Sequence, residues 1–167
     1  MCRIESEFYI RDLDLNDLEV LYEIDQKCFN SEIAFDRAFF KHLLTRSYIT
    51  GFMLEIKNDA VKADEVKADE VSRGPAGFIM AGRNSDLAEI ITIDILMPFR
   101  RRGFGKILME KMEQNLISCE VKQVFLHVSV NNQPAINLYQ KLGYYILQKE
   151  KNYYQNNGDA YKMFKPI

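Results

Sequence analysis

A chain of 167 residues with 47% apolar and 28% charged side chains can bury one continuous core, and it reads as a single domain over residues 1–167. Its formal net charge of −2 argues against nucleic acid as a bulk partner, and no apolar run approaches the ~18 residues that span a bilayer. Arg3, Glu5, Glu7 and Arg11 interrupt the N-terminal apolar residues, which is not a secretory-signal pattern. Cys2, Cys28 and Cys119 are too scattered for a disulfide framework or a metal site. The expectation is a cytoplasmic protein with no membrane segment and no metal.

Phe8-Tyr9-Ile10 opens a short strand, and Asp12 to Asp14 can cap the first helix. Leu15, Leu18, Tyr22, Asp25 and Phe29 recur at near-helical spacing, with Leu21, Ile24 and Cys28 widening the apolar face. Asp36 is placed to cap a second helix that ends near residue 46; His42, on its surface, is assigned no role. Residues 48–57 read as a strand. A doubled pentapeptide comes next, Val61-Lys62-Ala63-Asp64-Glu65 and then Val66-Lys67-Ala68-Asp69-Glu70. Two copies are too few for a stacked repeat, so residues 58–73 are expected to form a solvated hairpin connection. Residues 77–83 and 88–97 make two more strands. A helix over 103–118 is lined on one face by Gly105, Leu108, Met109, Met112 and Leu116. Residues 123–130 form a strand, and Asn132, with Pro134 two places on, caps a helix that Gly143 stops. Strands over 144–153 and 160–164 close the chain around an Asn156-Asn157-Gly158 turn. This succession predicts an α/β fold, a mixed sheet with helices on both faces.

Residues 96–106 carry the most chemistry. An apolar strand runs into Pro98; Arg100, Arg101 and Arg102 follow, then Gly103 and Gly105, and a helical pattern begins. Such a junction places cationic side chains and bare backbone N–H groups at the positive end of a helix, which suits a phosphate or pyrophosphate. A dinucleotide fingerprint fails because Leu108 stands where its third glycine belongs. A P-loop fails because Ile107, not Ser or Thr, follows Lys106. The plainer alternative is a helix start with surface arginines.

Arg100-x-x-Gly103-x-Gly105 resembles the pyrophosphate signature of the GNAT superfamily of N-acetyltransferases. Leu126-His127-Val128, leading into the 131–144 segment with its Asn132-x-x-Ala135-Ile136-x-Leu138-Tyr139 core, resembles the protein N-terminal (α-amino) acetyltransferases of the ribosomal-protein-alanine and archaeal type. Asn152-Tyr153-Tyr154 and Asp159-Ala160-Tyr161-Lys162-Met163 resemble the C-terminal hairpin of that subgroup. The three motifs lie in order across residues 87–164. The resemblance implies the GNAT fold, a mostly antiparallel six- to seven-stranded sheet with a splayed strand pair. It also implies acetyl-CoA as donor, attacked directly by an amine in a ternary complex.

On this resemblance the pyrophosphate rests on the amides from Arg101 to Lys106, including those of Gly103, Phe104 and Gly105, with Arg100, Arg101 and Arg102 adding charge. The pantetheine arm pairs with main chain near Ile93 and Ile95. Asn132 and Asn137 are candidate cofactor contacts, a plain helix cap being the equal reading for Asn132. Tyr139 falls where the family places a proton donor to the departing sulfur; the alternative is a core tyrosine. His127 and Glu89 are candidate bases, against a structural reading for a lone strand histidine. Phe29, Glu32 and Phe35 match the acceptor-binding loop, and Tyr153 and Tyr154 cover the acceptor from the other side. The implied acceptor is a polypeptide N-terminus. The competing readings are an acetyltransferase for a small amine or lysine, and a non-catalytic acetyl-CoA-binding module. A monomer or weak dimer is expected, with any further subunit left open. Two departures stand out: Asp94 replaces a small apolar residue in mid-strand, and the 157–160 turn is one residue shorter than the usual form.

Overall fold

The computed structural model describes residues 8–57, 74–155 and 157–167. Among them run β1 Phe8–Asp12, α1 Leu18–Cys28, α2 Arg37–Leu44, β2 Ile49–Ile56, β3 Gly74–Asn84, β4 Leu87–Ile95, α3 Phe104–Ser118, β5 Gln123–Ser129, α4 Gln133–Lys141, β6 Tyr145–Glu150 and β7 Ala160–Pro166. The connection expected over 58–73 lies outside the described residues, as does Asn156 of the expected terminal turn.

The predicted caps form. Asp36 accepts the Phe39 amide at 2.7 Å, Asn132 accepts the Ala135 amide at 3.3 Å, and Gly143, at φ +92°, ends α4 in the left-handed conformation. The first helix is preceded by one 3-10 turn over 15–17. Asp14 and Asp17 close that turn as a capping box, and Arg11 adds a fork to Asp17 at 2.7 and 2.8 Å. The strand edges shift from expectation. β3 begins at Gly74, and β4 stops at Ile95 because Pro98 helps wind residues 97–99 into a 3-10 turn.

The seven strands form one sheet in the order β1-β2-β3-β4-β5-β7-β6. Every neighbouring pair is antiparallel except β4 and β5, which run parallel. Strand alternation divides the core between the two faces. Phe52, Leu54, Ile79, Ala88, Ile90, Val124 and Leu126 pack against Leu108, Met109, Met112 and Leu116 of α3 and Ile136 of α4. On the other face Met53, Phe78 and Met80 meet Leu21 and Ile24 of α1 and Phe40 and Leu43 of α2.

β4 and β5 pair only over Leu87–Ile90 with Gln123–Leu126, and then diverge. The divergence coincides with a bulge. Met80 pairs with Thr92 and Ala81 with Ile90, so Ile91 is an extra residue in β4. A bulge increases local twist and bends its strand, which turns β4 away from its parallel neighbour. No helix among the described residues is long and apolar enough to cross a membrane.

Leu108 is fully buried at the centre of α3. Leu108→Ala is expected to cost about 2–5 kcal/mol, read as a lowered urea midpoint with an unchanged slope.

Candidate active site

The arginine-glycine turn builds the start of α3. Gly103 is the N-cap residue at φ +86°, and Arg101 is also left-handed, at φ +61°. Among the described residues no side chain caps this helix. The first intrahelical bond runs from the Ile107 amide to the Gly103 carbonyl, so the amides of 104–106 precede it. Arg100 spends its Nε on the Ile95 carbonyl at 2.7 Å, stapling the turn to the end of β4. The Arg102 guanidinium lies over the Phe99 and Phe104 rings. Phe104 is buried against Phe8, so it offers only its amide to a ligand. Lys106 is exposed and 3.6 Å from Glu110.

The two glycines do different things. Space beyond Gly103 is open, and its need for glycine comes from its φ. A Cβ on Gly105 would meet Leu138 Cδ2 at 3.2 Å, so that glycine lets α3 and α4 pack closely.

Past the bulge, Ile93 and Ile95 lie on the α3 face and pack against its core. The β5-facing edge of β4 runs unpaired along this stretch, where the two strands have parted. Tyr139 of α4 sits on the same face, 6% exposed and edge-on to Tyr144. Burial raises its pKa, with Asp94 and then Tyr154 adding to the effect, so the phenol keeps its proton. Asn137 accepts a hydrogen bond from Gln133 at 2.7 Å, and both it and Asn132 are exposed at the surface of α4.

His127 is the first residue of β5 beyond its last pair with β4. It shares the α1–α2 face with Phe125, and Glu89, opposite Phe125, reaches diagonally to place Oε1 3.3 Å from His127 Nδ1. Tyr153 stacks on the imidazole, with ring centroids 4.4 Å apart, and Tyr154 meets Tyr153 edge-on. Nε2 lies 3.3 Å from Glu150 Oε2, close enough for charge attraction but out of line for a hydrogen bond. Glu150 is held below the usual carboxylate range, first by the Gln148 amide and further by the His127 imidazole. Burial, then Glu89, push the Tyr153 phenol up to about 12. A neutral imidazole has one N–H and one lone pair, and here a carboxylate oxygen stands 3.3 Å from each ring nitrogen.

A groove of about 560 Å³ leads to this cluster on the α1–α2 face. Phe35, Phe39 and Leu43 line it from the loop and α2, Arg83, Glu89 and Ile91 from β3 and β4, and Tyr153 joins them. Phe35 stacks on Phe39 at 4.2 Å. The structure thus gathers His127, Glu89, Phe35 and Tyr153 at one place, with Tyr154 behind. Phe29 and Glu32 lie on the same loop as Phe35 but outside the groove lining; Glu32 is exposed. Sequence reasoning missed Glu150, Arg83 and Phe39. Glu150 is found only through the β6–β7–β5 register, which places it beside a residue 23 positions away. His42, which its sequence context gave no role, also lines the groove.

A family model described as the acetyltransferase (GNAT) family matches residues 18–144. The chain is 36% identical over 80 residues to an N-alpha-acetyltransferase of Sulfurisphaera tokodaii, a match covering 47% of this chain and 48% of that protein. The match thus spans about half the length of this curated relative. Its fold is that of Ard1 from Thermoplasma volcanium, at 23% identity and a TM-score of 0.80, covering 96% of this chain and 98% of the other. Arabidopsis thaliana NAA60, solved with acetyl-CoA, aligns at 22% identity and a TM-score of 0.77 over 96% of this chain and 98% of its own.

Because Gly105 faces Leu138, Gly105→Val is expected to overpack the α3–α4 contact and cost about 1–3 kcal/mol in chemical unfolding.

Proposed function

This chain belongs to the acetyltransferase (GNAT) family, and we propose that it transfers the acetyl group of acetyl-CoA to the α-amine of a polypeptide N-terminus. The observation that carries the reading is the position of His127. It stands where β4 and β5 part, with the groove on the α1–α2 face of the sheet and Tyr139 on the α3–α4 face.

Acetyl-CoA, when bound, supplies an acetyl thioester activated toward amines. The residues fit such a donor. The uncapped amides at the start of α3 and the neighbouring arginines suit a diphosphate, and Ile93 and the Ile95 amide offer main chain along the edge of β4 that β5 leaves, the Ile95 carbonyl being taken by Arg100 and Cys28. Main-chain N–H groups on that edge can polarise a thioester oxygen. His127, with Glu89 at Nδ1, accepts the proton that the attacking ammonium loses. An α-amine titrates near 7.7–8.0 against about 10.4 for lysine, so an N-terminus asks less of this base. Tyr139, kept protonated by its surroundings, gives its proton to the leaving sulfur. One N–C bond forms and one C–S bond breaks; of the two protons the ammonium gives up, the first goes to His127 before attack and the second, lost from nitrogen as the C–S bond breaks, replaces the one that Tyr139 gives to sulfur. Phe35 and Tyr153 bracket the groove in which the first residues of an extended acceptor would lie.

The test is mass spectrometry of peptides incubated with the protein and acetyl-CoA. Acetyl is expected on the N-terminal amine; acetyl on lysine alone, or tight coenzyme A binding with no turnover on any amine, overturns the reading. Tyr139→Phe is expected to lower kcat by about 100-fold while leaving coenzyme A affinity within about threefold. Gly103→Asp puts a carboxylate at the diphosphate cradle and is expected to weaken calorimetric coenzyme A binding by about 100-fold.

A further inference from the structure

Asp25 and Asp94, one from the apolar stripe of α1 and the other the carboxyl that interrupts the apolar run of β4, are the most deeply buried carboxyl groups among the described residues, at 0% and 1% exposure. Each has one oxygen occupied. Asp25 Oδ2 accepts the Phe35 amide at 2.8 Å, and Asp94 Oδ1 accepts the Thr92 hydroxyl at 2.7 Å. The other oxygens, Asp25 Oδ1 and Asp94 Oδ2, are buried and receive no N–H or hydroxyl among the described residues. The two carboxyl groups lie within hydrogen-bonding reach of each other. Two buried carboxylates cannot share that space as anions, but an acid and a carboxylate make a strong O–H···O bond.

The Ile91 bulge creates this meeting. It puts two successive residues, Ile91 and Thr92, on one face of β4, so that Thr92 and Asp94 turn toward α1 while Ile93 and Ile95 turn toward α3. At the next residue, the Cys28 thiol of α1 donates to the Ile95 carbonyl at 3.4 Å. The C-terminal half of α1 is therefore tied to the diverging end of β4 at two points.

We propose that Asp25 and Asp94 act as positioning residues, a carboxyl pair sharing one proton that locks the loop bearing Phe35 to the splayed end of β4. Asp25 holds the lining of the groove through the Phe35 amide; Asp94 holds the strand that parts from β5. The groups facing the pair are the Cys28 thiol from α1, the Arg100 guanidinium from the turn and the Tyr139 phenol from α4, with Tyr154 beyond Tyr139. Burial pushes Asp25 up to about 6 and Asp94 well above the carboxylate range, in keeping with a retained proton. An unfolded carboxyl releases its proton near pH 3.9. The native state therefore binds more protons from about pH 4 upward, and the stability the pair contributes falls as pH rises through the folded values.

The effect on transfer rests on the acetyltransferase reading; the proton does not. Isotope-edited infrared spectra of the whole chain at neutral pH are expected to show the carbonyl stretch of a protonated aspartic acid. The band should vanish in Asp94→Asn, whose amide donates to Asp25 in the proton's place. From about pH 5 to pH 8 the wild type should lose thermal stability relative to Asp94→Asn. In acetyl transfer, Asp94→Asn should keep the acceptor KM within about twofold, while Asp94→Ala raises it about tenfold with coenzyme A affinity unchanged. Absence of the protonated band in the wild type, or parallel pH–stability curves for the wild type and Asp94→Asn, overturns the pair whether or not any peptide is acetylated. Equal impairment of Asp94→Asn and Asp94→Ala overturns its positioning role. If Asp94→Ala does not fold, the infrared band and the stability curves decide.

Discussion

One additional residue in β4 governs the architecture of the site. Without Ile91 as an insertion, β4 would continue in phase with β3, and nothing local would turn it from β5. With it, the strand twists, the parallel ladder stops after Ile90 and Leu126, and the two strands part. The same insertion reassigns every side chain from Thr92 to Ile95 to the opposite face from the one strict alternation would give. Apolar Ile93 and Ile95 go to the α3 core, and Asp94 goes to α1.

The parting of the strands lies between two electrostatic environments. On the groove side, Glu89 and Glu150 flank His127 in partly exposed positions, and Glu150 is held below the usual carboxylate range. Inside, the Asp25 and Asp94 carboxyls are dry, and their surroundings favour a proton. The same functional group thus serves two ends according to solvent access. Tyr139 lies close enough to feel Asp94, and its phenol is held in the protonated form by the same low-dielectric interior.

Much of this was legible in the residues. The caps at Asp36 and Asn132 and the stop at Gly143 are local chemistry, and they form as read. The 96–106 junction announces itself because glycine, proline and arginine each constrain the backbone or its charge in a way that needs no tertiary information. Glu89 and His127 came together through the family resemblance, and the parallel pairing of β4 with β5 is what places them side by side. Glu150 could not be found in the sequence, because its approach to His127 depends on how far β6 slides along β7, and the break in register between Ile146 and Gln148 is invisible in a strand of exposed residues. The bulge was equally hidden: Ile90, Ile91, Ile93 and Ile95 satisfy either face, so the apolar pattern does not show where the phase slips. The one residue that resisted the pattern was Asp94, and its misfit marks the slip. Asp25 was counted with the helical spacing of α1 and passed unremarked, although it too is a carboxyl set in an apolar stripe.

A buried carboxyl pair is a poor way to gain stability, since apolar side chains of similar volume usually do as well or better. Two leucines could fill this space between α1 and β4. They could not accept the Phe35 amide, and that N–H, enclosed by the loop and the helix, would be left unpaired at a cost of about 1–3 kcal/mol. Nor could they fix direction: a hydrophobic contact tolerates sliding, whereas a chain of bonds from the Phe35 amide through two carboxyls to the Thr92 hydroxyl sets the spacing between loop and strand. That spacing sets where Phe35, which lines the groove, stands relative to the diverging end of β4, so precision there bears on function where a gain in stability would not.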